Sequence, residues 1–200
     1  MVKRLFDFVF SLIAIVLFAV PMLLIALWIR LESPGSPLFR QRRAGWKGKP
    51  FVMYKFRTMR VSADPYGVSP QSGEDPRLTR IGRFLRETSL DEVPQLLNVL
   101  LGQMSLVGPR PLYERQAERW DQRQRRRLDV RPGITGCAQV EGRGEVPIED
   151  KIELDLHYVE HRSLLLDLKI LCKTIAQAVT GRHKVYEKQY SRQKERETDL

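Results

Sequence analysis

Two hundred residues, 42% of them hydrophobic, suffice for one modest domain with a membrane element and leave little room for a second domain. A formal charge of +10 implies an anionic partner: nucleic acid, anionic lipid or a phosphorylated substrate. The only cysteines, Cys137 and Cys172, lie far apart in no metal-ligand spacing, so neither a disulfide framework nor a zinc site is indicated and a reducing, cytoplasmic setting fits.

Residues 5–29, LFDFVFSLIAIVLFAVPMLLIALWI, are nearly all apolar, broken in polarity only by Asp7 and Ser11. The segment is long enough to cross a bilayer. It is too long for a secretory signal, and no small-x-small cleavage site follows it. Pro21 removes a backbone donor and frees the carbonyl of Leu17, so a break is expected there. Lys3 and Arg4 precede the segment while Arg30, Arg40, Arg42, Arg43, Lys47 and Lys49 follow it, so the positive-inside tendency holds both ends in the cytoplasm. Each half around Pro21 is about a dozen residues, about 18 Å of helix, short of the roughly 30 Å hydrocarbon layer. A helix-break-helix hairpin entering and leaving by one face satisfies both observations. A spanning helix with a proline kink is the alternative.

After Pro34-Gly35, the runs PLFRQRR and FVMYKFRTM flank the Gly-containing AGWKGK and read as a β-hairpin, with Lys55 and Arg57 on one face. Residues 62–77, SADPYGVSPQSGEDPR, carry no periodicity and read as a loop, able to cover a substrate or simply to connect. TRIGRFLRETS predicts a short helix with Ile81, Phe84 and Leu85 packed and Arg86 delivered towards the next segment.

That segment, RETSLDEVPQLLNVLLGQMSLVGPRP, places the adjacent carboxylates Asp91 and Glu92 between Arg86 and a Gly-Pro-Arg-Pro turn carrying Arg110. Ser89 and Glu92 have the form of a capping box, while Pro94 fits only a first helical turn, so the helix is expected to open at Asp91. Acidic residues in a first turn often serve only the helix dipole. The company of Arg86, Arg110, Arg131 and Arg143, the last three beside Gly or Pro, points further. Arginine forks at tight turns suit phosphate oxygens, and a nearby carboxylate can hold Mg2+ or attack phosphorus.

Residues 112–128, LYERQAERWDQRQRRRL, are polar almost all round and read as a solvated helix. Nucleic acid is discounted, because aromatic interleaving is missing and a membrane segment is present; anionic lipid headgroups need fewer assumptions. RPGITGCAQVEGRGEVP contains glycines that let backbone approach a ligand, without the pattern of a nucleotide-binding P-loop. Residues 148–160 and 163–180 read as helices, the second with an apolar face of Leu164, Leu165, Leu168, Leu171 and Cys172 suited to a core or a membrane interface. The highly charged residues beyond Gly181 are expected, from composition, to form a partly ordered tail.

Four motifs in order, YKFRTM, LDEVPQLLNVLLGQMSLVGPRPL, RPGITGCAQVEGRG and DLHYVEHRSLLLDLKIL, resemble the bacterial sugar transferases, the small monotopic phosphoglycosyl transferases. The resemblance runs from the membrane segment to about Val179. It implies an α+β, mostly helical enzyme, with a re-entrant helix at 1–31 broken at Pro21, a catalytic domain at 32–181 with a small β-hairpin and interfacial helices, and a tail at 182–200. Where the best-known members have Ser before that proline, this chain has Val20. The implied reaction moves a sugar 1-phosphate from a UDP-sugar to undecaprenyl phosphate with Mg2+, releases UMP and passes through a covalent phosphosugar on Asp91. Asp91 and Glu92 would be catalytic and hold the metal, and Lys55, Arg86, Arg110 and Arg143 would bind phosphate. The implied setting is the cytoplasmic face of the bacterial inner membrane, at the first membrane step of capsule, exopolysaccharide, O-antigen or glycoprotein glycan synthesis, with downstream glycosyltransferases as partners. Two other readings of the residues are a membrane-anchored scaffold for polysaccharide assembly, in which the dyad is dispensable, and a metal-dependent phosphatase or phosphodiesterase, in which water captures the intermediate.

Overall fold

The computed structural model describes residues 2–64, 67–141 and 146–180, and is mostly helical. The apolar N-terminal segment forms one helix, α1 (Val2–Glu32), with Pro21 inside it. The expected break is therefore not an interruption: proline removes a single donor, and the bonds on either side carry the helix through. By length and composition α1 can cross a membrane, and only 11% of its most apolar stretch is buried, so it is not a core helix.

α1 meets the rest of the protein along a stripe that includes Asp7, Ser11, Met22, Ile25 and Ile29, at near-helical spacing. The two polar interruptions of the apolar segment are its most deeply buried N-terminal residues, Asp7 at 2% and Ser11 at 0% exposure. Near the N-terminus, Lys3 Nζ donates to Asp167 Oδ2 (2.6 Å), the Arg4 guanidinium donates to the carbonyls of Val99 (2.5 Å) and Leu100 (2.8 Å), and Asp7 Oδ1 accepts from the Leu106 N–H (3.1 Å). At the other end, the Glu32 carboxylate accepts from the N–H groups of Arg80 (2.6 Å) and Ile81 (2.9 Å). The opposite face, including Leu5, Val16, Leu17, Val20, Leu23 and Leu27, is exposed.

The hairpin forms as expected from β1 (Leu38–Ala44) and β2 (Pro50–Phe56), antiparallel, with Lys55 opposite Phe39. Arg57 follows β2 and turns away to the carbonyls of Ser33 (2.8 Å) and Pro34 (2.7 Å), where it fastens the end of α1. No helix or strand occurs among the described residues of 62–77. α2 (Arg80–Glu87) is capped by Thr79, whose side chain accepts from the Gly82 N–H, and buries Ile81 and Leu85. Phe84, expected on the packed side, is 47% exposed, because only the Ile81–Leu85 edge faces Ile29 and Phe56.

A second, unforeseen sheet pairs β3 (Ser105–Val107) with β4 (Gly133–Thr135) in parallel. α3 (Gln95–Leu100) packs on β2 and β3. Residues 112–128 are not one helix: α4 (Glu114–Glu118) and α5 (Gln122–Arg125) are separated by Trp120 and a capping box at Asp121, and a 3-10 turn follows at Arg126–Asp129. This run is also less free for lipid than its composition suggests. Arg123 pairs with Glu153, Arg126 with Glu160 and the buried Arg127 with Asp155, all on α7 (Ile148–His161), while Arg115 and Arg119 stay exposed. α6 (Cys137–Glu141) fills the glycine-rich segment, and α8 (Leu164–Thr180) closes the described chain. On α8, Leu164, Leu165, Leu168 and Ile175 are exposed while Ile170 and Asp167 are buried, so most of the expected apolar face is uncovered by protein.

Candidate active site

The dyad sits on a single 3-10 turn, Leu90–Glu92, and not on a helix opening at Asp91. The chain reverses out of α2 through Ser89, which takes φ 58° and makes no side-chain capping bond, so the expected capping box is not formed. Pro94, with no N–H to place in a helix interior, becomes the residue before α3. The turn thus presents two adjacent carboxylates between α2 and α3, beside the end of β2.

Lys55 on β2 donates to Glu92 Oε1 at 2.6 Å and lies 4.0 Å from Asp91 Oδ2. Arg110, in the turn after β3, donates to the same Glu92 oxygen at 3.0 Å. Glu92 therefore organises two cations about one atom. Burial works against its charge, but Arg110 and Lys55 overcome this and hold its carboxyl well below the usual carboxylate range. Asp91 is 7% exposed and has no such close partner. Burial pushes its carboxyl up to about 6; Lys55 opposes that shift and Glu92 adds to it. The adjacent carboxylates are thus differentiated: one holds cations, and one is a buried anion short of compensating charge.

Arg86, at the end of α2, donates to Thr58 Oγ1 at 2.9 Å and acts on Asp91 through its charge, without a direct ion pair. Arg131 does not join the cluster: it lies 4.4 Å from the Trp46 ring centre and donates to the Gly102 carbonyl. Arg143 lies outside the described residues. The structure thus brings together Lys55, Asp91, Glu92 and Arg110, with Arg86 at one side.

A small cavity beside the dyad is lined by Arg43, Met53, Lys55, Glu92, Gln95, Arg110 and Pro111. From the sequence Arg43 reads only as one of the positive charges flanking the apolar segment, and its place at the site was missed. It donates to Gln41 Oε1 and the Pro111 carbonyl and stacks 3.7 Å over the Tyr113 ring, pinning the turn that carries Arg110. Its signal was the alternation of Gln41 and Arg43 on one face of β1, but a strand polar on both faces does not reveal which one is inside.

No group of three or more His, Cys, Asp or Glu side chains capable of holding a metal occurs among the described residues. Mg2+ commonly takes only one or two carboxylates and completes its shell with water and substrate phosphates. The buried, under-neutralised Asp91 carboxylate is a donor of that kind, with Glu92 adjacent, so the residues present fit a cation that arrives with a phosphorylated ligand.

The bacterial sugar transferase profile matches residues 1–181. The chain belongs to that family. Among its relatives, an uncharacterized sugar transferase EpsL of Bacillus subtilis is 44% identical over 90% of this chain and 88% of that protein. The UDP-glucose:undecaprenyl-phosphate glucose-1-phosphate transferase of Escherichia coli is 42% identical over 88% of this chain, which spans only 39% of that longer protein. The exopolysaccharide production protein PSS of Rhizobium leguminosarum is 43% identical over 89% of this chain and 95% of that protein. In this member of the family the long apolar helix is bound to the elements that hold the dyad, since α1 contacts α3, α2 and β3.

Proposed function

We propose that this protein transfers a sugar 1-phosphate from a UDP-sugar to undecaprenyl phosphate, releasing UMP, as the initiating membrane step of exopolysaccharide synthesis or a related glycoconjugate. The observation that carries the reading is the differentiated dyad: Asp91, a buried carboxylate with few partners, lies next to Glu92, which holds Lys55 and Arg110 where a diphosphate would need them. The names of the relatives support the substrate pair, and UDP-glucose is the donor to test first.

In the first half-reaction an Asp91 carboxylate oxygen attacks the β-phosphorus. The bond from that phosphorus to the bridging oxygen breaks, and UMP leaves with the electron pair. Lys55 and Arg110, drawn from Glu92 to the diphosphate, stabilise charge on the transferring group and on the leaving phosphate. In the second half-reaction an oxygen of undecaprenyl phosphate attacks the same phosphorus, the acyl-phosphate bond breaks, and Asp91 is restored. Glu92, held strongly acidic by its two cations, suits positioning better than proton transfer. Asp91 with Glu92 would hold Mg2+, which supplies charge neutralisation on the phosphoryl oxygens when bound.

The acceptor is a membrane lipid, so the site must lie at the membrane surface. We place α1 in one leaflet with both ends on the cytoplasmic side of the bacterial inner membrane. In support, Lys3, Arg4 and Asp7 at one end and Ile29 and Glu32 at the other bind one and the same body, whereas a spanning helix would leave one end across the bilayer. The test is UMP release from UDP-glucose by purified protein with Mg2+, with and without undecaprenyl phosphate. Sustained release only with the lipid is expected. Sustained release without it would favour the phosphatase reading, and no release with any UDP-sugar would refute the transferase.

A further inference from the structure

Gln95 is 2% exposed, yet among the described residues its side-chain amide makes no hydrogen bond. A fully enclosed amide is nearly always paired; the Gln95 polar atoms are not among the fully enclosed unpaired ones, so its amide keeps access to the cavity that the residue lines. Asn98, three positions on, shows that the same short helix can satisfy one completely: its Nδ2 donates to the Val52 carbonyl (2.7 Å) and Gln103 Oε1 (2.7 Å), and its Oδ1 accepts from the Tyr54 N–H (3.0 Å). The two amides differ in what they face. Asn98 faces β2, whereas Gln95 lines the cavity beside the dyad with Arg43, Lys55, Glu92 and Arg110.

Those neighbours are engaged. Lys55 and Arg110 donate to Glu92, and Arg43 donates to Gln41 and the Pro111 carbonyl. Building on the nucleotide-sugar reading above, we propose that Gln95 is a donor-binding residue whose amide donates an N–H to a nonbridging oxygen of the UDP-sugar diphosphate. A neutral donor suits this place. A further cation here would pair with Asp91 and quench the nucleophile, while a carboxylate would repel the diphosphate.

The test uses the full chain in detergent micelles and two readouts: calorimetric binding of UDP with Mg2+, which needs no turnover, and UMP release from UDP-glucose with undecaprenyl phosphate. Gln95→Leu keeps the side chain's bulk and removes the donor. Its UDP affinity is expected to fall about tenfold or more, the scale of a lost hydrogen bond to a charged group. Its KM for UDP-glucose should rise in parallel, with Tm and the KM for undecaprenyl phosphate unchanged. Gln95→Glu should weaken UDP binding further, and Gln95→Asn should restore part of it. Unchanged UDP affinity in Gln95→Leu overturns the proposal, as does equal loss toward both substrates with a lowered Tm. Wild-type protein that binds UDP in a Gln95-dependent way but releases no UMP would leave the Gln95 assignment standing and refute the transferase reading. Wild-type protein that does not bind UDP refutes both.

Discussion

The two dyad carboxylates are chemically neighbours and energetically opposites. Asp91 has a folded-state pKa of about 6 against 3.8 for the free side chain, so the folded protein binds the extra proton between those values. Its contribution to stability is therefore greatest below about pH 4 and is lost as pH rises through 6. At pH 7 the ionised side chain costs stability, and Asp91→Asn should abolish UMP release while raising stability by about 1–3 kcal/mol. Equilibrium unfolding at pH 7 and pH 4 checks this: the gain should be present at the higher pH and shrink at the lower. The nucleophile must be ionised, so kcat/KM for the donor should fall below an acid limb near pH 6. A limb near pH 4 would show that the Asp91 carboxyl is not raised in the working enzyme, and no loss of kcat/KM at acid pH would remove an ionisable carboxylate from the role. Intact-protein mass spectrometry with UDP-glucose and Mg2+ should find the phosphosugar adduct in wild type, retained in Glu92→Gln and absent in Asp91→Asn. The pair itself was legible in the sequence through the arginines and the Gly-Pro-Arg-Pro turn around it. Its division of labour was not, because that depends on Lys55 and Arg110 converging on one oxygen of Glu92 from distant parts of the chain.

Elements with their own periodicity were readable in the sequence: the hairpin through its β-branched and aromatic runs, α2 through its apolar edge, and α7 and α8 through their length. Elements fixed by distant partners were not. β3 and β4 are three residues each and find one another only across α4 and α5. Between Ser89 and Pro94 a local capping signal lost to the chain reversal at Ser89. Two contacts that carry no periodic signal hold the site together. Asn98 bonds the free edge of β2, the strand of Lys55, to α3. Asn98→Leu should leave backbone groups of Val52 and Tyr54 unpaired, costing about 2–4 kcal/mol in chemical denaturation and weakening turnover with it. At Gly82 an added Cβ would stand 1.9 Å from the Thr58 carbonyl oxygen, so α2 can approach β2 only without a side chain there. Gly82→Ala should push α2 away and misplace Arg86. A variant with wild-type Tm and donor KM would show that this approach is dispensable.

Across the whole molecule, α1 contributes to the architecture of the body that holds the dyad, and on the proposed function it would also attach that body to the membrane. Cysteines at Val2 and Lys49 should both be labelled only after the cytoplasmic face is exposed. Labelling of Val2→Cys from outside intact spheroplasts would show a spanning helix instead. The near-continuous apolar run made a long apolar helix legible, but the reason for a carboxylate in its midst appears only in three dimensions, where Asp7 meets the Leu106 N–H. This arrangement sets a schedule for biogenesis. α1 leaves the ribosome well before the partners of Lys3, Arg4 and Asp7 exist, since those partners lie on α3, β3 and α8. Until α3 and β3 have been synthesised Arg4 and Asp7 lack their partners, and until α8 has been Lys3 lacks Asp167, so the nascent helix starts with uncompensated charges that would favour shallow, reversible residence at a bilayer surface over commitment to either leaflet. Its final seating then falls to the completed body, so insertion of this anchor would follow folding instead of preceding it.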